Sequence, residues 1–376
     1  MTRPVLGRRP NRREFMHAGA GLAAAIYLSG CGGSSSKSSS DLKAPPAEVD
    51  GDLAYYAPTD YVPEEVLKGF EKEYGVKINQ TYFSTVDEMI QKLGAGAPYD
   101  VTFLPSNFFG RATEANLLLP IDHSTMRNWG QVTDLFLDPP FEPRARHLAG
   151  PYVMGGVGLA YRKDQVSGLT GSWDDLWRIA PEIPGRSFIF DDVTVSMTMA
   201  LARLGLPTDT SDPGDLNKAA DALIELRKSL GGFASSAGEK LTDGQALLLM
   251  NYTGATFSSL SESRFADQIG FEFCRETLGF NADCLVVPSA AKHPGTGLVF
   301  CDYLLRPDNM KKIVDFVGYP VGTDAGLDAY RKLVARFPFL DYDEKIYSNA
   351  DVWLSSLTGA QLRAWNQAWT RVKASA

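Results

Sequence analysis

Short apolar stretches alternate with helical stretches in the first folded part of this chain. Residues 53–56 and 76–83 have the pattern of strands, and residues 63–74 carry apolar side chains at helical spacing. Pro63 is typical of a first helical turn, and Gly75 is typical of the residue that ends a helix. Strands that alternate with helices at this spacing predict βαβ units, an α/β fold and a mainly parallel sheet.

The alternation continues towards the C-terminus. Residues 99–104 and 187–190 predict further strands, and the Gly-rich residues 151–161 predict a strand that carries the chain between two domains. We also expect a helix over residues 242–249, followed by a strand over residues 250–252. With 376 residues, the chain is long enough for two domains that each bury a core.

The N-terminal segment has the features of an export signal. Arg12 and Arg13 form a twin-arginine pair, an apolar run covers residues 18–28, and Leu28-Ser29-Gly30-Cys31 closes the segment. A basic start, an apolar middle and a small-residue end predict a signal peptide over residues 1–30, exported by the twin-arginine route. The closing motif resembles the lipobox of bacterial lipoproteins, which implies that Cys31 carries lipid.

Charge and hydropathy limit the partners of the mature chain. Residues 1–30 hold five basic residues and one acidic residue, and the whole chain has a net charge of −8, so the remainder carries −12. This acidic balance argues against nucleic acid and against an anionic lipid surface. No second apolar run reaches spanning length, so we expect membrane contact through the lipid alone. Residues 31–51 are rich in Gly and Ser and predict a flexible tether.

Three further cysteines need an assignment. Cys274, Cys284 and Cys301 show no C-x-x-C spacing, which argues against a zinc site. We expect buried free thiols, because free cysteine packs as a small apolar side chain. A Cys274–Cys284 disulfide is the alternative.

Polar and aromatic side chains follow several of the predicted strands. Ligands of open α/β sheets bind outside the carboxyl ends of the strands. Carboxylates pair with ammonium groups and ring faces attract cations, so such a set suits an amine. The candidates are Thr59, Asp60, Tyr61, Ser106, Phe108, Asp192 and Tyr252, and to these we add Asp283, just before a predicted strand. Asp191 is assigned instead to turn and helix-cap chemistry.

The sequence contains none of the common catalytic motifs. Past the signal peptide, the histidines are His123, His147 and His293, and none lies in a nucleophile motif. There is no G-x-S-x-G and no H-E-x-x-H spacing. We therefore predict no catalytic residue, no metal site and no cofactor.

Several short motifs extend over nearly the whole chain past residue 53 and lie at residues 56–63, 99–106, 172–177, 283–288 and 303–308. Together they resemble the spermidine/putrescine-binding proteins of bacterial ABC importers. The resemblance implies a two-lobed periplasmic-binding-protein fold of type II, with hinge strands and a ligand held in the interlobe cleft. It implies a first lobe from residues 52–155 and 283–328, and a second lobe from residues 156–282 and 329–376.

The binding positions of that family carry over unevenly. Tyr61, Asp192, Asp283 and Tyr319 match the aromatic and acidic contacts of the family. Ser106 and Ser235 stand where the family has hydroxyl contacts, and Phe108 and Tyr252 stand at aromatic positions with a different ring. Pro58 stands where the family has a stacking Trp, Val195 replaces a second carboxylate, and Asn281 replaces another aromatic residue. The resemblance therefore implies a cationic amine without fixing spermidine as the ligand.

Together these observations predict an exported, lipid-anchored monomer in the periplasm or on the outer face of the cytoplasmic membrane. It binds a polyamine or a related cationic amine in the cleft and delivers it to the permease and ATPase subunits of an ABC importer. It is not an enzyme. The alternatives are a binding protein of the same fold for ferric ion or another small polar metabolite, and an exported hydrolase.

Overall fold

The computed structural model describes residues 42–234, 238–262, 266–277, 279–341 and 353–375. The predicted signal peptide, the predicted lipidation site Cys31 and the predicted ligand contact Ser235 lie outside the described residues. Among the helices that are described, none is long and apolar enough to cross a membrane.

The strands form two five-stranded sheets. They are β1 (Leu53–Ala57), β2 (Ile78–Tyr82), β3 (Val101–Pro105), β4 (Gly150–Gly155), β5 (Val157–Arg162), β6 (Ser187–Phe190), β7 (Leu230–Ala234), β8 (Leu248–Tyr252), β9 (Ile269–Glu272) and β10 (Asn281–Val286). The strand order is β2-β1-β3-β10-β4 in the first sheet and β7-β6-β8-β5-β9 in the second. We call the parts of the molecule built on these sheets lobe 1 and lobe 2.

Each sheet contains one strand that runs against its neighbours. In lobe 1, β10 pairs antiparallel with β3 and β4, while β1 pairs parallel with β2 and β3. In lobe 2, β5 pairs antiparallel with β8 and β9, while β6 pairs parallel with β7 and β8. The prediction of an α/β fold with mainly parallel sheets is confirmed.

Helices flank both sheets. They are α1 (Glu64–Tyr74), α2 (Val86–Gly94), α3 (Phe109–Glu114), α4 (Asp174–Ile179), α5 (Val193–Arg203), α6 (Pro213–Arg227), α7 (Gly238–Thr242), α8 (Thr253–Glu262), α9 (Pro294–Leu304), α10 (Pro307–Val317), α11 (Asp324–Leu333) and α12 (Gly359–Ala374). The first of them follows its sequence signals closely, since Pro63 precedes α1 and Gly75 ends it with a φ of 69°. Its apolar stripe of Val66, Leu67 and Phe70 is buried. Burial of such a side chain stabilises the fold by about 1.5–3 kcal/mol.

The chain passes from lobe 1 to lobe 2 with almost no loop. Gly156 alone separates β4 from β5, so the strand predicted over residues 151–161 is two strands, one in each sheet. The carbonyl of Gly156 accepts a hydrogen bond of 3.1 Å from the N–H of Thr253 in α8. On its return to lobe 1 the chain enters β10, where Asn281 pairs with Gly155. The two crossings therefore meet at one place between the sheets.

Two of the lobe boundaries expected from the sequence fall inside observed elements. The boundary between residues 282 and 283 lies within β10, and the boundary between residues 328 and 329 lies within α11. Residues 42–51, expected to end the tether, include Asp50, whose carboxylate accepts 3.1 Å and 2.9 Å bonds from the N–H groups of Gly295 and Thr296. The folded body thus begins before residue 51, because Asp50 binds the open N–H groups at the start of α9.

The prediction of a helix over residues 242–249 is wrong. The helix α7 ends at Thr242, and β8 begins at Leu248. β8 lies between β6 and β5, and its residues Leu248, Leu249 and Met250 are almost completely buried. A short apolar run that is covered on both faces suits an interior strand as well as a helix, and the sheet decided between them.

The three described cysteines, Cys274, Cys284 and Cys301, are free and buried. Burial raises the pKa of each thiol, so all three stay protonated at neutral pH. The prediction of buried free thiols is confirmed for these residues, and the alternative disulfide between Cys274 and Cys284 is not formed.

Candidate functional site in the interlobe cleft

A cavity of about 300 Å³ lies between the two sheets, beside the crossing strands. Its size falls at the lower end of the range for small-molecule sites. Its lining residues are Tyr61, Val86, Pro105, Asn107, Phe108, Val153, Met154, Gly155, Asp192, Val195, Tyr252, Asn281, Asp283, Tyr319 and Leu354. Tyr61, Phe108, Asp192, Tyr252, Asp283 and Tyr319 of the predicted site are therefore brought together, from both lobes.

Asp283 is the more enclosed of the two carboxylates in this cavity. It lies on β10 and accepts a hydrogen bond from the hydroxyl of Tyr61. Burial raises the pKa of Asp283 to about 6, and the bond from Tyr61 opposes the rise. At neutral pH the carboxylate is mostly ionised, but it is poorly solvated and ready to accept a further hydrogen-bond donor.

Neighbouring side chains hold Tyr61 in place. The hydroxyl of Tyr152 donates a hydrogen bond to the backbone carbonyl of Tyr61. The ring of Tyr61 packs edge-on against Phe103 in β3, with 4.9 Å between the ring centroids. Both partners are fully or almost fully buried. The hydroxyl that reaches Asp283 is therefore fixed by the core of lobe 1.

Asp192 faces the cavity from lobe 2 in a different setting. It follows β6 and caps α5, where its Oδ1 accepts a 2.8 Å bond from the N–H of Val195. The pKa of Asp192 is raised, because desolvation by the surrounding protein outweighs the N–H groups of Val195 and Thr194, which lower it. The side chain is also exposed to solvent. Because water and helix amides both reach this carboxylate, we expect it to be ionised at neutral pH.

Two tyrosines complete the polar wall. Tyr252 ends β8 and packs on Phe190, with 5.0 Å between the ring centroids. Tyr319 lies so close to Gly254 of α8 that a Cβ on Gly254 would sit 2.3 Å from the ring. Burial raises the pKa values of Tyr252 and Tyr319, so their hydroxyls stay neutral. They can therefore hydrogen-bond a solute, and their ring faces can attract a cation.

Ser106 does not line the cavity but hydrogen-bonds to a residue that does. Its hydroxyl donates a hydrogen bond to Oδ1 of Asn281 and accepts a 3.2 Å bond from the N–H of Ala282. Ser106 is fully buried and does not line the cavity, whereas Asn281 does. The structure thus gives Ser106 the role of orienting the Asn281 amide.

Thr59 and Asp60 are not brought to the central cavity. Both side chains are exposed, and Asp60 has a φ of 53° at the turn after β1. Asp60 lines a separate cavity with Pro58 and Tyr61. The strand-end argument placed them near the site, but the turn points them away from it.

Several lining residues were not among the predicted contacts. Asn107 follows β3 next to Ser106, so the strand-end rule could have found it. Val86 begins α2, and Leu354 comes from the C-terminal segment, where its N–H donates a 2.8 Å bond to the carbonyl of Phe280. No local sequence signal marks Val86 or Leu354 as part of a site.

The arrangement suits a small cation with apolar segments. Two carboxylates and three neutral phenols line the cavity together with apolar side chains such as Val195 and Met154. Among the residues that the structure describes, no group of three or more His, Cys, Asp or Glu side chains is placed to hold a metal ion.

Comparison with known proteins agrees with the architecture. Residues 65–333 match the family described as bacterial extracellular solute-binding protein. The spermidine/putrescine-binding periplasmic protein of Escherichia coli K12 is 27% identical over 342 residues, which cover 89% of this chain and 94% of that protein. A putrescine/agmatine-binding protein of Pseudomonas aeruginosa is 28% identical over 340 residues, covering 84% and 89%.

A solved structure shows the same fold. The lipoprotein Tp0655 of Treponema pallidum superposes with a TM-score of 0.75 at 23% identity, over 85% of this chain and 99% of that one. This likeness confirms the predicted two-lobed periplasmic-binding-protein architecture. The relatives are named as binding proteins, which agrees with the prediction of a non-enzymatic chain. The chain belongs to the family of bacterial extracellular solute-binding proteins.

Proposed function

We propose that this protein binds a small polyamine-like amine in the interlobe cleft and serves as the solute-binding component of an ABC importer. The observation that carries the proposal is the meeting of Asp283, Asp192 and three tyrosines in one cavity between the lobes. The names of the relatives add support, because both are named for amines of this class and align over most of this chain.

Binding would use contacts from both walls. An ammonium group near Asp283 would displace no competing cation, since only the Tyr61 hydroxyl is described as its side-chain partner. Asp192 would meet the ligand from lobe 2, and the rings of Tyr252 and Tyr319 would cover its methylene groups. A solute that touches both lobes favours the closed arrangement by its differential affinity, with movement about the strands near Gly155–Gly156 and Ala282.

Export and anchoring are part of the same proposal. The twin-arginine pair and the lipobox-like Leu28-Ser29-Gly30-Cys31 support export and a lipid anchor at the outer face of the cytoplasmic membrane, and the proposal takes the anchored protein as a monomer. A permease and an ATPase would then receive the solute from the closed protein. Intact-mass measurement on protein extracted from its native host, with Cys31→Ser as the comparison, tests the anchor. An unlipidated wild-type protein would contradict it.

The ligand class is tested with purified protein from residues 32–376. A thermal-shift screen compares diamines, triamines, amino acids, betaines and ferric ion, and calorimetry then measures the affinity of each stabilising compound. We expect amines with two or more ammonium groups to stabilise the protein most. Stabilisation by ferric ion or by an amino acid alone would overturn the amine assignment and leave the solute-binding fold in place.

A further inference from the structure

A smaller cavity of about 90 Å³ adjoins the central one and shares Asn107, Phe108 and Asp192 with it. It brings two more charged side chains to the cleft, Asp87 and Arg111. Neither residue was among the predicted contacts. A role for Asp87 and Arg111 in selecting the solute rests on the proposed function, because it concerns which amine the cleft takes.

Arg111 places a positive charge inside this extended cleft. It lies in α3, and its Nη1 donates a 3.0 Å hydrogen bond to Oδ1 of Asp87 in the first turn of α2. Its guanidinium also lies over the ring of Phe108, with Cζ 5.1 Å from the ring centroid. Phe108 lines both cavities, so the stacking holds the charge of Arg111 beside the space available to the solute.

Asp87 and Asp192 face the same space from opposite lobes. The negative charge of Asp87 contributes to the raised pKa of Asp192, which requires the two carboxylates to be close. Both line the smaller cavity. Arg111 neutralises Asp87 in this cluster, whereas Asp192 accepts only helix N–H groups in the described contacts.

The charges that line the two cavities decide what the cleft can neutralise. Among the described lining residues they are Asp283, Asp192, Asp87 and Arg111. Three carboxylates and one guanidinium give a net charge of −2 when all are ionised. We infer that Arg111 is a specificity-determining residue that limits the solute to amines with two ammonium groups. A third ammonium would lie near the guanidinium, with no carboxylate left to neutralise it, and like charges side by side oppose binding.

The test compares putrescine, which has two ammonium groups, with spermidine, which has three. Calorimetry at low ionic strength gives the ratio of the two affinities for the wild type and for Arg111→Gln. The substitution removes the positive charge and changes the net charge of the lining side chains from −2 to −3. We expect the spermidine-to-putrescine ratio to rise about tenfold, which corresponds to about 1.4 kcal/mol. Arg111→Lys keeps the charge and should keep the wild-type ratio.

Arg203→Gln is a matched control. The Arg203 side chain is 23% exposed, like that of Arg111, and it pairs with Asp174 as Arg111 pairs with Asp87. It also stacks on an aromatic ring, Trp177, but lines neither cavity. An equal rise in the ratio for Arg203→Gln would overturn the inference, because the effect would then be one of overall charge.

Val195→Glu also brings the net charge of the lining side chains to −3, because it adds a carboxylate at a residue that lines the central cavity. It should raise the same ratio, and it keeps the inference testable if Arg111→Gln does not fold. Ratios that stay at the wild-type value in the folded variants, with both amines still bound, would overturn the inference and spare the proposed function. A wild type that binds no amine would overturn both.

Discussion

The two walls of the cleft hold their carboxylates by different means. In lobe 1, Asp283 is enclosed, takes a hydrogen bond from Tyr61 and has a pKa raised by burial to about 6. In lobe 2, Asp192 is exposed to solvent and caps α5 through the N–H of Val195. Asp192 follows strand β6 and Asp283 lies within strand β10, yet both line the same cavity.

The different surroundings of the two carboxylates predict different contributions to binding. An enclosed carboxylate gains more from an arriving ammonium, because water contributes little to its solvation beforehand. A more exposed carboxylate at a helix start already accepts hydrogen bonds from amide groups, so it gains less. We therefore expect Asp283 to contribute most of the affinity and most of its pH dependence, and Asp192 to contribute a smaller part of both.

The strongest test of this contrast is Asp283→Asn. The change keeps the shape of the side chain and removes the charge that an ammonium would pair with. Hydrogen bonds to charged groups contribute roughly 1.5–3 kcal/mol, so we expect calorimetry to show putrescine binding weakened by about 100-fold. An affinity within about threefold of the wild type, with the fold intact by circular dichroism, would contradict the leading role of Asp283.

Asp192→Asn should have a smaller effect, about tenfold on the same affinity, at the low end of that range. Thermal stability should hardly change, because Asn caps a helix about as well as Asp. Asp191→Asn is the matched control, since Asp191 pairs with Lys373 at 2.7 Å and does not line the cavity. If Asp191→Asn weakened binding as much as Asp192→Asn, the assignment of the two neighbours would be wrong.

Acidic pH should weaken binding through Asp283. As the pH falls through about 6, the free carboxylate takes up a proton that the ammonium must displace, so affinity should drop by up to about tenfold per pH unit. The Asp283→Asn variant should lose most of this dependence, whereas Asp192→Asn should keep most of it. Affinity measured by calorimetry between about pH 5 and 8 checks this, and a flat profile in the wild type would count against it.

The stability of the unliganded protein should respond to pH in the opposite sense. The folded pKa of about 6 lies above the ordinary value of about 3.9, so between these values the folded state holds more protons than the unfolded chain. The contribution of Asp283 to stability therefore rises as the pH falls from about 6 to about 4. The difference in unfolding free energy between wild type and Asp283→Asn, measured by urea titration, isolates this contribution.

The smallest expected effect belongs to Tyr61→Phe. The loss of the hydroxyl removes the hydrogen bond that lowers the pKa of Asp283, while the ring keeps its packing on Phe103. The midpoint of the pH dependence should therefore move above about 6, with a modest loss of affinity at neutral pH. Tyr82→Phe, which changes a hydroxyl outside the central cavity, serves as the control and should leave the midpoint unchanged.

Local signals in the sequence were sufficient for most of lobe 1. Pro63 and Gly75 bound α1 as expected, and the apolar alternation located β1, β2 and β3. The same signals failed over residues 242–249, where helix α7 ends at Thr242 and the interior strand β8 begins at Leu248. Periodicity cannot separate a fully buried strand from a buried helix when the run is short.

The candidate site divides in the same way. The strand-end rule predicted Asp192, and Asp283 was added to the candidates because it comes just before a predicted strand. The same reasoning included Thr59 and Asp60, which the turn after β1 directs away from the central cavity. It omitted Arg111, because no sequence motif in the short helix α3 indicates a functional residue.

What the sequence determined by itself is most of the elements and several candidate side chains: apolar spacing predicted most strands and helices, and acidic and aromatic residues beside the strands support the proposed amine ligand. What only the tertiary structure decided is which of these side chains meet. Asp283 and Asp192 are separated by much of the chain and come from different lobes, yet they line one cavity. The pairing of strands across two crossings fixes that meeting, and with it the burial that raises the pKa of each carboxylate, because solvation depends on neighbours that are distant in sequence.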